Sequence, residues 1–438
     1  MRRAADRTTI YRARELAPRR GPGRRAEFAL AFLVCAFAPM NFLRLPQLYF
    51  TAADGAALLL LAVFLANRGL PRFKLGVAGL VWIAGTGLLI SGLLVSAILH
   101  GEPGRGMIVS AQYAHSLLVI PFVFLTRSRD EVVPLALTFV ASVVAMCLFG
   151  AYLIHWDGTT STRFVTGNGR MRSFVERTNE AGALIAITLP LVFGLRRMGA
   201  MRFVPFVFAT AMLCYGIMLT GSNSAVIGAI LAVGTFALLA ADRRTLTALA
   251  GGGGLVVLLV ATLGDTVFPK VFRDRVVEAI RTGDLEDAGT FSYRKELILE
   301  ALERVENVGF LGVGADHYQV VSAFGRPVHN TYLLIWNEGG LLALAGTAMI
   351  LSAAFLACVR SIASPVLRYG AAGGAATVLT FAATIHTMPH VYARFWAVPI
   401  VLGLCLAGRG SSVWSLASSR QSYPRLSPKP GSWIRRPA

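Results

Sequence analysis

Residues 203–240 read FVPFVFATAMLCYGIMLTGSNSAVIGAILAVGTFALLA, two apolar runs with only Gly221 and Ser222 between them and no charged side chain in either. A helix needs about 20 such residues to cross the hydrocarbon core of a bilayer. About twelve runs of this kind can be marked along the 438-residue chain, which is 55% apolar and only 15% charged. A water-soluble globule carries about 25% charged residues. The sequence therefore excludes a separate soluble catalytic domain and predicts an all-α, polytopic transmembrane helical bundle.

The apolar runs divide the chain into five parts. These are a basic tail (1–26), spans one to nine (27–263), a large loop (264–330), spans ten to twelve (331–408) and a tail predicted to be disordered (409–438). The predicted spans are 27–43, 46–66, 75–99, 107–126, 132–154, 180–195, 203–220, 223–240, 246–263, 331–358, 369–386 and 394–408. The two longest connections on the outward side are residues 155–179 and 264–330, so a functional site is expected there.

Positive charge is concentrated in alternate connections and in both tails. Examples are Arg68, Arg72 and Lys74 after the second span and Arg243 and Arg244 after the eighth. Because short loops rich in Lys and Arg stay in the cytoplasm, these connections and both termini are predicted to be cytoplasmic. The formal net charge of +19 is then a topology signal attracted to anionic lipid, and no nucleic-acid partner is expected.

Neither cysteine nor histidine spacing indicates a disulfide framework or a metal site. The five cysteines all fall within predicted spans, where a thiol behaves as a small apolar group. His386 and His390 have four-residue spacing, but Pro389 interrupts the helix and no Glu lies between them as in the metalloprotease motif. Since no nucleotide-binding fingerprint occurs either, no metal and no cofactor are expected.

The long loop contains two amphipathic segments. Residues 269–281 form the first, and Tyr293–Asn307 form the second, with Ser292 as a candidate N-cap. Arg294 precedes the apolar Leu297 by three positions, so this cation lies on the face that packs inward. A glycine-rich turn at 309–314 follows. We expect a small helical lid over the outer mouth of the bundle.

His329 lies where the long loop re-enters the membrane, beside Asn330 and about one helical turn before Tyr332. Imidazole suits a general base because its pKa, near neutrality, needs little tuning. An interfacial histidine is more often an amphipathic anchor, and that interpretation is preferred for the other six. Arg172 and Arg177, with two further arginines, crowd the other outward loop. Cations on this side oppose the usual bias and indicate an anionic partner.

Three charges fall in or near predicted spans, namely Asp54, Glu338 and Arg394. Such charges are costly in hydrocarbon, so each indicates either a functional site or pairing between helices. For Asp54 and Arg394 both interpretations stay open. Glu338 follows His329 by nine residues, about two and a half helical turns, which is too far for direct contact.

Several motifs together resemble the O-antigen ligase and polysaccharide polymerase family of bacterial inner membranes. They are Arg294 beginning an amphipathic helix, Gly312-Val313-Gly314, His329-Asn330-Thr331-Tyr332-Leu333, Glu338-Gly339-Gly340-Leu341, and Arg172-Ser173-Phe174 through Thr178-Asn179-Glu180-Ala181. The resemblance covers most of residues 165–345. One departure stands out: the family commonly has Ser-Arg-Gly at the outer end of the eighth span, where this chain has Gly221-Ser222-Asn223. Asn223 cannot supply the cation that arginine would.

The resemblance implies transfer of a glycan from an undecaprenyl-pyrophosphate carrier to a hydroxyl of a lipid A-core or glycan acceptor, on the periplasmic face. His329 would be the general base, and Arg294 would stabilise the leaving pyrophosphate, without metal. Direct displacement would invert the sugar configuration. The residues expected to contact the substrate are Arg172, Arg177, Asn179, Asn223, Asn330, Tyr332 and Glu338.

Two other functions compete with glycan transfer. A flippase for lipid-linked oligosaccharides, or another secondary transporter, would place charges near the midplane and often show repeated halves. This chain concentrates its polar residues outward and has no visible repeat. A pure scaffold protein is supported mainly by the missing arginine at Asn223.

Overall fold

The computed structural model is a bundle of apolar helices. It describes residues 22–45, 49–68, 75–158, 160–241, 268–283, 291–308, 310–391 and 394–408, with isolated positions at 243, 246, 247 and 251. Within these ranges the elements are α1 Pro22–Phe37, β1 Arg44–Leu45, β2 Phe50–Thr51, α2 Ala52–Arg68, α3 Val77–His100, α4 Pro103–Phe124, α5 Arg129–Asp157, α6 Thr178–Arg197, α7 Phe203–Thr220, α8 Asn223–Ala240, α9 270–282, α10 Phe291–Val308, α11 Tyr318–Val321, α12 Thr331–Ile362, α13 Arg368–Thr384 and α14 Ala397–Ala407.

Helices dominate, and the prediction of an all-α polytopic bundle is confirmed. Seven of the described helices, α3 to α8 and α12, are long and apolar enough to cross a membrane. Four shorter helices, α1, α2, α13 and α14, coincide with four further predicted spans. The ninth predicted span, 246–263, lies outside the described residues apart from three positions. The number of twelve crossings therefore stays a prediction.

The connection between α1 and α2 differs from the predicted spans. Helix α1 ends at Phe37 instead of continuing to residue 43, and Arg44 pairs with Thr51 in a two-residue antiparallel hairpin. Pro39 follows the helix end, where a residue without an N–H disfavours further helix. At the start of α2, the carboxylate of Asp54 accepts a hydrogen bond from the backbone N–H of Thr51 at 2.7 Å. This capping bond explains why an acidic residue lies at the start of an apolar helix.

Close approach of the helices depends on small residues. Where α3 crosses α12, a side chain added at Gly85 would meet the backbone of Gly346, and one added at Gly92 would meet that of Gly339. Without a hydrophobic driving force between helices in lipid, such contacts between backbones supply much of the packing energy. The α3–α12 contact holds the helix that follows His329.

Helix α12 is kinked at Gly340, whose φ of 71° and ψ of −170° are non-helical. Of the glycine-rich turn predicted at 309–314, residues 310–314 are described, and they pack into this kink. Val313 donates its backbone N–H to the carbonyl of Asn337 at 2.7 Å, and Gly314 donates to the carbonyl of Glu338 at 3.0 Å. The turn thereby satisfies carbonyls that the kink leaves without helical partners.

Substituting Gly340→Ala should lower the free energy of unfolding by about 3 kcal/mol. A methyl group there would collide with the carbonyl of Phe310, and the backbone conformation is one that only glycine adopts readily. Thermal unfolding in detergent measures the loss. Gly87→Ala is the matched control, since α3 leaves open space around that position and alanine favours helix. Equal free energies of unfolding for Gly340→Ala and Gly87→Ala would contradict the non-helical backbone conformation at Gly340.

Candidate active site

The two loop helices form close to where the sequence predicts them, at 270–282 and Phe291–Val308. The apolar side of α9, with Phe272 and Val276, packs with Phe268 against Met218 of α7 and Val226 of α8. Helix α10 packs separately on the start of α12, as described next. We call the end of the bundle that carries these two helices the lid end.

Helix α10 is anchored by an apolar and a polar contact. Leu297 and Ala301 are buried with Tyr318, Val328 and Leu334. Next to these residues, the carboxylate of Glu300 accepts hydrogen bonds at 2.8 Å from Ser322 Oγ and at 2.7 Å from Ala323 N. Burial opposes the charge, but these bonds and one from Arg304 outweigh it and lower the pKa of Glu300. The acidic residue is thus an anchor of α10.

His329 lies between Val328, which is buried under α10, and the start of α12. The imidazole is half-buried, and its Nδ1 has no hydrogen-bond partner among the described residues. Burial, followed by the positive charges of Arg294 and Arg177, lowers the pKa of His329 to about 4. At neutral pH the ring is therefore uncharged and able to accept a proton.

Four half-buried arginines lie near one another, and we call them the arginine cluster: Arg170, Arg172, Arg275 and Arg294. Arg294 connects the cluster to His329, on which its charge acts. Arg170 donates from Nε to the carbonyl of Thr220 at 2.8 Å and from Nη2 to Asn179 Oδ1 at 3.0 Å. Burial, then Arg275, Arg294 and Arg172, lower the pKa of Arg170 to about 10. Burial and Arg275 lower the pKa of Arg294 in the same way.

The charges of the cluster oppose one another. In the described part of the chain, no carboxylate lies within 4.0 Å of the guanidinium of Arg170, Arg172 or Arg294. Like charges held together in a partly buried site favour an anion that can accept several hydrogen bonds. The cluster is therefore suited to a polyanionic ligand.

Sequence reasoning missed Arg275. It lies on α9, where it donates from Nε to the carbonyl of Gly221 at 3.2 Å, and its own carbonyl accepts from Asn223 Nδ2 at 3.4 Å. The available signal was its spacing, since it stands three residues after Phe272 and directly before Val276, two residues of the buried side of α9. A cation at that position must lie near the bundle.

A polar cavity of about 590 Å³ lies near His329 and is lined by Arg177 and His390. Arg177 acts electrostatically on both His329 and His390, and His329 acts on His390. Burial, then Arg177 and His329, lower the pKa of His390 to about 3. The cavity lining is Asn41, Arg44, Tyr49, Arg105, Ile108, Val109, Gln112, Glu176, Arg177, Glu180, Asp316, Gln319, His390 and Arg394.

Most charges in the cavity wall are paired, unlike those of Arg170, Arg172 and Arg294. Arg44 contacts Glu176 at 2.5 Å, and Arg105 contacts Asp316 at 3.5 Å. Arg177 lies 3.8 Å from Glu180. Paired carboxylates and guanidiniums offer many hydrogen-bonding groups with little net charge, a surface suited to a polyhydroxylated ligand.

Asp54 and Arg394 form a buried ion pair between α2 and the turn before α14. Arg394 donates from Nε to Asp54 Oδ2 at 3.0 Å, and a second bond joins its Nη2 to the same oxygen. The same guanidinium also bonds the carbonyl of Tyr49 and lines the cavity. The sequence left open whether Asp54 and Arg394 indicate a functional site or pairing between helices, and the structure shows that they pair. This ion pair holds one wall of the cavity in place.

The structure brings six of the predicted site residues together and gives three others structural contacts. Two of the six, Arg172 and Arg294, belong to the arginine cluster, and Asn179 and Asn223 form hydrogen bonds with Arg170 and Arg275 of that cluster. Arg177 lines the cavity, and the charges of Arg177 and Arg294 act on His329. Asn330 caps α12, accepting from the N–H groups of Tyr332 at 3.0 Å and Leu333 at 3.2 Å.

Tyr332 and Glu338 hold α12 against its neighbours. The hydroxyl of Tyr332 donates to the carbonyl of Ala382 at 2.8 Å. Glu338 is buried, and its backbone carbonyl accepts from Ser96 Oγ at 2.6 Å. Substrate contact by Asn330, Tyr332 and Glu338 stays a prediction. Within the described residues, no three His, Cys, Asp or Glu side chains are grouped as metal ligands would be.

Fold and site together define a multi-pass membrane protein whose polar groups gather at one end of a helical bundle. Residues 208–348 match the family model described as O-antigen ligase. This match confirms the resemblance over the part of the chain from α7 to the middle of α12, which contains the motifs from Arg294 to Leu341. No curated protein matches the chain at a significant level. The family assignment supports an enzyme of glycan transfer in O-antigen biosynthesis.

Replacing Asp54 by Asn should destabilise the protein by about 3 kcal/mol, because it leaves the buried Arg394 without its counter-ion. Thermal unfolding in detergent reports the loss. Asp157→Asn is the matched control, since Asp157 is exposed. The double variant Asp54→Asn with Arg394→Gln should recover part of the stability, as the uncompensated charge is then gone. No recovery would argue against the pair.

Proposed function

We propose that the protein transfers a glycan from a polyprenyl-diphosphate carrier, undecaprenyl pyrophosphate, to an acceptor hydroxyl, with His329 as general base. One observation supports this most directly: an uncharged imidazole is flanked by Arg294 of an anion-seeking cluster and by Arg177 of a polar cavity. The donor diphosphate and the hydroxyl of the acceptor glycan can thus both lie next to one base, His329. The site would face the periplasm, with both termini in the cytoplasm of a bacterial inner-membrane protein.

The reaction is a direct displacement at the anomeric carbon of the donor sugar. The acceptor oxygen forms a bond to that carbon while the bond to the diphosphate oxygen breaks. The acceptor proton passes to His329, and the leaving diphosphate keeps the bonding electron pair. Arg294 and Arg172 stabilise the charge that develops on the diphosphate, because guanidinium is always charged and matches phosphate geometry. The product sugar has inverted configuration, and the proton is later released to water.

Binding of the donor would raise the pKa of the base, His329. Arg294 is one of the two cations that lower the pKa of His329. A diphosphate bound to Arg294 offsets that charge, so the pKa of the imidazole rises towards neutrality once the donor is in place. A base is most effective when its pKa lies near the working pH. Donor binding therefore prepares His329 for the proton of the acceptor.

The acceptor glycan would occupy the polar cavity. Its volume of about 590 Å³ lies within the range of about 300–1,000 Å³ typical of small-molecule sites. Its paired charges suit sugar hydroxyls and would not attract the diphosphate away from the arginine cluster. The acceptor is either the lipid A core or the end of another glycan, that is, ligase or polymerase chemistry.

The polyprenyl chain of the donor would lie along α7 and α8. Helix α7 ends at Thr220 and is joined to α8 through Gly221, and the carbonyls of these two residues contact Arg170 and Arg275. Apolar side chains are exposed on the same two helices, including Phe208, Ile227 and Ile230. A lipid lying there places its diphosphate at the arginine cluster without burying its tail.

Substituting His329→Ala should reduce glycan transfer by about 100-fold or more, the usual contribution of a general base. The assay uses membranes supplied with lipid-linked donor and acceptor glycan, and it scores product on gels together with protein level. His155→Ala is the control, since His155 is an exposed histidine in the last turn of α5. Unchanged transfer in His329→Ala would remove the base assignment.

Replacing Arg177 by Gln should raise the pH below which kcat/KM falls. Arg177 lowers the pKa of His329, so the free enzyme keeps a neutral base until the pH falls to about 4. Without Arg177 the pKa rises, and activity is lost at higher pH as acid is added. Arg163→Gln, an exposed arginine of the same loop, should leave the profile in place. Superimposable profiles for wild type and Arg177→Gln would contradict this electrostatic coupling.

A further inference from the structure

Two residues of the polar cavity have a backbone conformation that side chains rarely adopt. Among the described residues, five other than glycine have a positive φ, and they are Tyr49, Ser161, Ser173, Ala241 and Asp316. Tyr49 and Asp316, with φ of 49° and 55°, both line the cavity. Backbone strain of this kind persists only where the surrounding structure holds it, and it is concentrated at ligand sites. The cavity therefore contains two side chains whose placement costs the fold free energy.

Asp316 is the third residue of a tight turn from Gly314 to His317. The backbone N–H of His317 donates to the carbonyl of Gly314 at 3.2 Å and closes the turn. A positive φ at the third position of a turn favours glycine or asparagine. The backbone of the turn therefore does not explain why a carboxylate is found at this position.

A close contact between two glycines brings Asp316 to the start of α4. A Cβ atom on Gly314 would lie only 2.8 Å from the Cα of Gly101, the residue that follows α3. Arg105 of α4 contacts Asp316 at 3.5 Å but lies closer, at 3.0 Å, to Glu102. Asp316 is thus loosely paired, and 30% of its side chain stays exposed at the cavity.

The surroundings of Asp316 stabilise its charge incompletely. Burial raises the pKa of Asp316, Arg105 opposes this rise and Glu102 adds to it. A carboxylate in this position gains from hydrogen-bond donors that a ligand brings. Gln319 of α11 lines the cavity as well, whereas the hydroxyl of Tyr318 donates to the carboxylate of Glu300 on α10 at 3.3 Å. One short segment therefore presents a carboxylate and an amide to the cavity.

Tyr49 supplies an aromatic ring to the same cavity, and 50% of this residue is exposed. The guanidinium of Arg44 lies over the ring, 4.4 Å from its centroid. The backbone carbonyl of Tyr49 accepts a hydrogen bond from Arg394. Both contacts hold the tyrosine at the cavity wall. Because the face of an aromatic ring carries partial negative charge, it packs well on the polarised C–H groups of a sugar ring.

We propose that Asp316 and Tyr49 form a saccharide-binding subsite of the polar cavity, in which the carboxylate accepts hydrogen bonds from sugar hydroxyls and the aromatic ring packs on sugar C–H groups. This inference rests on the proposed function and deepens it, because it names the residues that bind the acceptor glycan. The backbone strain at both positions is the cost of holding these two side chains at the cavity.

The test measures binding of two free glycans to the purified full chain in phosphatidylcholine nanodiscs, by titration calorimetry. One probe is core oligosaccharide released from lipopolysaccharide by mild acid, and the other is a glycan repeat released from its lipid carrier. Wild type should bind at least one of them. Asp316→Asn should weaken that binding about 10-fold, the usual effect of losing charge-assisted hydrogen bonds. In the transfer assay, Asp316→Asn should raise the KM for the acceptor and leave the KM for the donor unchanged.

Glycine substitutions separate binding from folding. Asp316→Gly removes the carboxylate and the backbone strain together, so it should weaken glycan binding about 10-fold without lowering the unfolding temperature. Ser161→Gly is the matched control, since it relieves the same kind of strain at an exposed position outside the cavity, and it should bind glycan as wild type does. Tyr49→Phe keeps the ring and should bind more tightly than Tyr49→Gly, which removes it.

A purely structural role for Asp316, as the partner of Arg105, predicts a different result. Asp316→Gly would then lower the unfolding temperature and leave the affinity for glycan unchanged. That pattern overturns the proposal, and so does wild-type affinity in either Asp316→Asn or Tyr49→Gly. A wild-type chain that binds neither probe overturns it as well.

Two further outcomes separate this inference from the proposed function. If His329→Ala abolishes transfer while Asp316→Asn binds glycan as wild type does, the proposed function stands and this inference alone fails. If His329→Ala transfers normally while the Asp316 and Tyr49 variants behave as expected, the saccharide subsite stands and the assigned base falls.

Discussion

Repulsion among half-buried guanidiniums is the constraint on which the lid end of this protein depends. Arg172, Arg275 and Arg294 each lower the pKa of at least one other basic residue nearby. Such an arrangement raises the energy of the empty site, and an anion relieves it. Burial, and after it the charges of Arg294 and Arg177, lowers the pKa of His329. Arg294 therefore acts on both parts of the proposed site, the anion-binding cluster and the imidazole.

The rest of the fold holds these charges together against their repulsion. Apolar burial fixes α9 on α7 and α8, and Glu300 fixes α10 to the turn around Ser322. The buried pair of Asp54 and Arg394 fixes the far wall of the cavity. Positioning thus relies on contacts away from the reacting atoms, as expected of a site built on a rigid framework.

Composition and hydropathy were enough to predict the bundle, because crossing a bilayer requires long apolar helices. The same was true of the two loop helices, whose apolar spacing is plain in the sequence. Contacts between distant segments were not predictable: Arg275 reaches Gly221 across 54 positions and Arg394 reaches Asp54 across 340. Local pattern also misjudged residues 38–51, where Pro39 and a two-residue hairpin interrupt an otherwise apolar run. Asn330 and Tyr332 also make contacts that the sequence did not indicate, since their hydrogen bonds cap and brace α12, while their contact with substrate stays a prediction.

The glycine kink in α12 has a mechanical consequence for an enzyme that works at a lipid boundary. Above Gly340 the short segment of the helix is bonded to the turn at 310–314. Below it, the long segment packs closely on α3, where Gly346 meets Gly85. Because the helix changes direction at Gly340, the segment that follows His329 takes the direction set by the turn, while the long segment keeps the direction set by α3.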